Sequence, residues 1–230
     1  MSAAEVARGE RLIGVRLGGA VTRRPPWHVA DGKPELGWLT GSMRLPSGHP
    51  VPGRLTRLVP HLAVVLGDPL TGPGVSPADA LAAVASVHAA AELSAGDDAP
   101  GGLAEGAPAG DSGPAPGGLA DGATAGRFLV GPAGRPPAGL DLALEACLVE
   151  VDGQVVESGT GAAAAGHPAE ALAWAANALD GQGLALEPGW LVLTGPLTAP
   201  VPLPPGAPLA VHFTTLGSLF LPAARPGPHG

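Results

Sequence analysis

HPAEALAWAANALDGQGLALEPGWLVLTGPL, residues 167–197, contains both periodicities from which the fold is read. Pro168 near its start, followed by Ala, Leu and Trp174 on one face, predicts a helix over 167–179. Gly181 and Gly183 end that helix. LEPGWLVLTGPL (186–197) reads as turn, buried strand and turn, because its apolar run between Gly and Pro has the length of a strand. Downstream, PPGAPLAVHFTTLGSLFLP (204–222) is a hairpin with Leu216-Gly217 at the bend, and 222–230 is expected to be a disordered tail.

Working upstream, LDLALEACLVEV (140–151) alternates over much of its length, Asp152-Gly153 makes a tight turn, and QVVESGTG returns. Gly159 and Gly161 form no phosphate loop, since no GK[ST] follows them. LVPHLAVVLG (58–67) is an apolar, β-branched run stopped by Gly-Asp-Pro and reads as a buried strand. RLIGVRL (11–17) is a shorter strand, and PSGHPVPG (46–53) is loop. In SPADALAAVASV, Ser76 caps a helix with Pro77 at its first position, and the apolar residues carry that helix forward. VHAAAEL (87–93) fits two periods. As helix it places His88 and Glu92 on one face at i and i+4; as strand it places His88, Ala90 and Glu92 together.

Between these elements lies a low-complexity stretch in which PGGLAEGAPAG (100–110) returns as PGGLADGATAG (116–126). Two copies make no solenoid, and Gly, Ala and Pro offer little to offset the entropy of ordering. Residues 94–118 are therefore expected to be a surface insertion in a single domain spanning 1–230. Many strands and two clear helices in mixed order define an α+β fold with a β-rich core.

Composition narrows the function. The 230 residues include 37 glycines and 28 prolines, yet 45% are hydrophobic and only 14% charged, so a core can form among many turns. The net charge is −8 and Lys33 is the sole lysine, which argues against nucleic acid and anionic membranes as partners. Cys147 is alone, so there is neither an internal disulfide nor a cysteine zinc site, and its expected role is packing. The N-terminus lacks the apolar core of a signal peptide and no run reaches membrane-spanning length, so the expected location is the cytoplasm.

The string GTGAAAAGHPAEALAWAANAL (159–179), followed by LEPGWLVLTGPLTAPVPLPPGAPLAVHFTTLGSL (186–219), resembles the 2-keto-4-pentenoate hydratases and 4-oxalocrotonate decarboxylases of the fumarylacetoacetate hydrolase superfamily. ERLIGVRLG (10–18), GWLTGSM (37–43), LVPHLAVVLG (58–67), AAAEL (89–93) and LADGATAGRFLVG (119–131) follow the family's order more loosely. The resemblance implies a β-rich roll with flanking helices, a small-molecule substrate, and a homo-oligomer or a complex with a related enzyme. It also implies Mg²⁺ or Mn²⁺ chelating a small enolisable 2-oxo acid, where the ion stabilises an enolate. Hard ions of this kind take oxygen ligands.

The resemblance also locates departures. The family's paired acids fall on Val59 and His61 around Pro60, its third acid on Glu92, and its lysine on Leu12 before Ile13-Gly14. An acidic pair before Met43 reads Gly41-Ser42, and the expected hydroxyl after Asp121-Gly122 falls on Thr124. Glu92 is left as the carried-over metal ligand, with Asp68 and Asp97 as replacement acids if the loops shift. His61 and Glu92 are the catalytic candidates: a histidine poised near neutral pH with a carboxylate orienting it. With His88 they could instead form a two-histidine, one-carboxylate metal site, or the histidines could simply be hydrogen-bonded. His88, Thr124, Thr160 and Thr194 are the candidate pocket residues, and His167 is expected to cap the helix it precedes. Three readings follow: a hydratase or decarboxylase of 2-oxo acids, a metal-independent isomerase or cyclase, and a non-catalytic partner of an active relative.

Overall fold

The computed structural model describes residues 11–18, 35–51, 55–94 and 126–222. Strands β1 (Leu12–Gly18), β2 (Glu35–Thr40), β3 (Arg57–Leu66), β4 (Val84–Ser94) and β5 (Arg127–Val130) join β8 (Leu191–Pro196) in the order β2-β1-β8-β3-β4-β5, with β9 (Val201–Pro202) added to β3. A second sheet orders β11 (Gly217–Leu221), β10 (Leu209–Phe213), β6 (Ala146–Val151) and β7 (Gln154–Thr160). Helices α1 (Pro77–Ala82) and α2 (Pro168–Asp180) pack on each other. The β-rich α+β expectation is met.

Alternation divides the larger sheet into two faces. On one, Leu58, Leu62, Val64 and Leu66 of β3 and Val87, Ala89, Ala91 and Leu93 of β4 join the main core with Cys147, Val149, Val211 and Leu221 of the second sheet and Leu172, Ala176 and Leu179 of α2. On the other, Leu39, Ala63, Ala90, Phe128, Val130, Leu191 and Leu193 form a smaller cluster. Gly14 lies where β1 meets β8, and a Cβ there would overlap the carbonyl oxygen of Leu191.

The helix starts are encoded locally. Ser76 and Asp79 form a reciprocal capping box with Pro77 in the first turn. His167 caps α2, its Nδ1 accepting from the Ala169 N–H at 3.0 Å. Asn177 of α2 grips Val75 through both its N–H and its carbonyl, each at 2.9 Å, and so ties the start of α1 to α2.

Two segments differ from the sequence expectation, and one left open between helix and strand is settled. The helix begun at Ser76 stops at Ala82, and VASV becomes β4, because Val84, Ser86 and Val87 pair with Leu66, Val65 and Val64. VHAAAEL is strand throughout, its ambiguity resolved by pairing with β3 from Leu66↔Val84 to Val59↔Glu92. The alternation in 140–151 is strand only from Ala146; ahead of it the Asp141 carboxylate accepts from the Leu144 N–H at 3.1 Å and holds a turn. Asp152-Gly153 turns with φ of 50° and 75°, as the hairpin requires. The duplication and the tail lie outside the described residues, apart from its boundary residues Ser94, Gly126 and Pro222.

Candidate active site

The sheet face opposite the main core carries three ionisable side chains within reach of one another. β3 and β4 pair with Val59 opposite Glu92 and His61 opposite Ala90, so His61 and Glu92 are diagonal neighbours on one face. The His61 Nε2 stands 3.6 Å from one Glu92 carboxylate oxygen. The other oxygen stands 3.5 Å from Arg16 Nη1. Arg16 belongs to β1, its side chain lies against Gly37 of β2, and it meets Glu92 where the sheet curls so that Arg44, just after β2, bridges Phe128 of β5.

Small residues make this reach possible. A Cβ on Gly37, opposite Arg16 on β2, would come within 2.8 Å of the Arg16 Nε. One on Gly126 would come within 3.3 Å of the Glu92 carboxylate. Beside His61, β3 and β8 slip register: His61 faces Pro196, but Ala63 faces Leu193, which leaves a bulge at Thr194-Gly195. Gly195 there has φ of +132°, a conformation that excludes most side chains.

Burial sets the charges. His61 is 2% exposed, against 17% for the Glu92 side chain and 26% for that of Arg16. Desolvation, aided by the Arg16 charge, pushes His61 down to about 3, a backbone contact with Gly195 offsetting only part of this. Its Nδ1 makes no hydrogen bond of good geometry among the described residues. The expectation of a histidine poised near neutrality is therefore corrected: His61 is neutral at physiological pH. Burial raises the Glu92 carboxyl above its ordinary range, and the Arg16 charge pulls it partly back. Of the two candidates, Glu92 is the one suited to carrying a proton.

The other candidates do not join this group. His88 lies four residues from Glu92 on the same strand, about 13 Å away at strand rise. Both its nitrogens are engaged, Nε2 with Ser86 Oγ and Nδ1 with the Gly131 carbonyl, each at 2.9 Å. The two-histidine metal site is thus not assembled. Thr194 is buried and donates to the Leu62 carbonyl at 3.0 Å, bracing β8 on β3. Thr160 is exposed at the end of β7, where it precedes a 3-10 turn. Asp68 is exposed in the turn after β3, at the opposite end of that strand from Val59. Thr124 and Asp97 lie outside the described residues. Sequence reasoning missed Arg16, although a charged residue inside the apolar run LIGVRLG was a visible signal.

Residues 13–221 match the Fumarylacetoacetate (FAA) hydrolase C-terminal family, and the chain belongs to it. It is 35% identical over 220 residues to 2-hydroxyhexa-2,4-dienoate hydratase of Comamonas testosteroni, covering 87% of this chain and 74% of that one. It is 34% identical over 231 residues to a 4-oxalocrotonate decarboxylase of a Pseudomonas species, covering 93% and 79%. The solved 4-oxalocrotonate decarboxylase from Pseudomonas putida G7, complexed with magnesium and adipate, is similar with a TM-score of 0.77 and 27% identity, over 96% of this chain and 81% of that one.

A divalent ion is present in that solved relative, so the donor set here was tested against one. The three positions that the resemblance assigns to metal ligands do converge, but they are Val59, His61 and Glu92. Valine offers no donor, and a buried imidazole is a poor ligand for a hard ion. The one carboxylate already faces a guanidinium at 3.5 Å. Among the described residues no group of three or more His, Cys, Asp or Glu side chains could hold a metal ion. These residues do not fit Mg²⁺ or Mn²⁺.

Proposed function

We propose that the chain is a hydratase/decarboxylase-type lyase acting on a small enolisable 2-oxo acid, with Glu92 carrying the proton. The observation that carries this reading is the largely buried Glu92 carboxylate, flanked by His61 and Arg16, in a chain that matches named hydratases and decarboxylases over most of its length. Those relatives favour it over a repurposed isomerase or cyclase and over a non-catalytic partner.

In hydration of a 2-hydroxydienoate, the dienol loses its O–H proton and gains one at carbon, giving a conjugated 2-oxo acid to which water adds. Glu92 is placed to carry that proton because it stands between His61 and Arg16, and burial raises its carboxyl above the ordinary carboxylate range. His61 supports it as an uncharged, water-excluding neighbour, the reverse of the expected division of labour. Exposed Leu148 and Phe220 on the outer side of the second sheet, and Val155 and Val156 on β7, give apolar surface of the kind a homo-oligomer or a complex with a related enzyme would cover. No helix among the described residues is long and apolar enough to cross a membrane.

The test is spectrophotometric, with freshly generated 2-hydroxypenta-2,4-dienoate. Loss of dienol absorbance faster than spontaneous ketonisation, and its abolition in Glu92→Gln, are expected. No acceleration with any added ion or with EDTA overturns the proposal.

A further inference from the structure

We infer that the Arg16 guanidinium stands in for the divalent ion, balancing Glu92 and binding the carboxylate of the 2-oxo acid, so that this chain takes its ligand without metal. The inference rests on the functional reading above and specifies how that site recognises its substrate.

Three observations converge on it. The first is position: Arg16, from a strand that does not neighbour β4, meets the carboxylate at the one acidic residue among the three ligand positions. The second is accommodation. Gly37 leaves the space that the Arg16 side chain crosses, and Gly126 leaves the space beside Glu92, so the backbone on both sides accepts this pair. The third is unused capacity. A guanidinium has five N–H donors in a planar fork suited to a carboxylate. Among the described residues Arg16 is engaged only by its ion pair with Glu92, and a quarter of its side chain is exposed. A 2-oxo acid presents a carboxylate beside a carbonyl, and a fork of N–H groups can meet both oxygens without a metal.

Replacing a metal by arginine has a further consequence. A divalent ion would need at least a second carboxylate to be held, and Val59 together with neutral His61 supplies no negative charge. One carboxylate against one guanidinium leaves the pair neutral overall.

Calorimetric titration with 2-oxopentanoate, in EDTA and in excess Mg²⁺, tests the inference. Wild type should bind with the same affinity in both. Arg16→Met should lose about tenfold or more, and Arg16→Lys should recover part of that loss. Mg²⁺ should leave the thermal midpoint of wild type unchanged. As an independent measurement, phenylglyoxal should modify Arg16 and 2-oxopentanoate in EDTA should protect it, which decides the matter even if Arg16→Met does not fold. Binding that needs Mg²⁺, a midpoint raised by Mg²⁺, unaltered binding by Arg16→Met, or absence of protection overturns the inference. Dienol turnover that requires Mg²⁺ would sink this inference and leave the functional proposal standing. Metal-free binding lost in Arg16→Met, without turnover, would do the reverse.

Discussion

Arg16 on β1 and Glu92 on β4 meet at 3.5 Å although their strands are not neighbours in the sheet. The contact needs a long cationic side chain, a glycine beneath it at Gly37, and a carboxylate on the same face. It places a positive charge beside the carboxylate, and most expectations for the site follow from it.

Glu92→Gln keeps the shape of the side chain and removes its titration. Dienol turnover should fall by about 10²–10⁴-fold, the usual span for a lost general acid or base. Steady-state kinetics should place the loss in kcat rather than KM, because the amide still occupies the same space.

His61 gives a signed dependence of stability on pH. Its folded-state pKa, about 3, lies below the unfolded value of 6.5. Above pH 6.5 neither state is protonated and the histidine contributes no pH dependence. As pH falls below 6.5 the unfolded chain takes up a proton that the folded chain refuses, so stability is lost progressively down to about 3. At pH 5 the loss is about 2 kcal/mol. Glu92, raised in the fold, works in the opposite direction near its own range. Urea unfolding of wild type and His61→Leu at pH 7 and pH 5 isolates the term, since the variant should show a smaller drop.

Cys147 should be inert in the folded protein. It is buried against the core, and desolvation pushes its thiol up to about 12. A thiol-specific reagent at pH 8 should label it only after denaturant is added, and rapid labelling of the native chain would contradict the structure.

Asn177→Ala removes two hydrogen bonds to Val75 at once. The variant should lose about 1–3 kcal/mol, because the Val75 backbone groups are left without their partner. The expected sign is a lower urea midpoint with little change in the slope of the transition.

A second buried acid shows the same dependence on distant partners. Glu145 accepts from the Thr215 N–H at 2.8 Å, the Thr215 hydroxyl at 2.7 Å and the Leu216 N–H at 3.3 Å. It fixes the β10–β11 turn against β6 from a position seventy residues away, and nothing local in LDLALEACLVEV announces this.

Much of the framework was legible because its signals are short-range. The caps at Ser76 and His167, the Asp152-Gly153 turn, and the apolar runs that became β3 and β8 need only neighbouring residues to be read. His61 and Glu92 were legible as a pair only through the resemblance, which set both in one site; the periods of VHAAAEL paired Glu92 with His88 instead, and the structure holds those two apart. VASV could not be assigned to β4 in this way, because a strand edge supplied by β3 outweighed the helix begun at Ser76.

The sequence by itself determined the order of most elements, the family to which they belong, and a valine and a histidine flanking Pro60. Local conformational preference and hydrophobic period are sufficient for such things. Only the tertiary structure decided that His88 is hydrogen-bonded away from Glu92, that His61 is buried and neutral, and that Arg16 faces the Glu92 carboxylate from a non-adjacent strand. Charge and protonation depend on what is brought within a few ångströms from elsewhere in the chain and on how much water is left there, and neither quantity is written in any local stretch of residues.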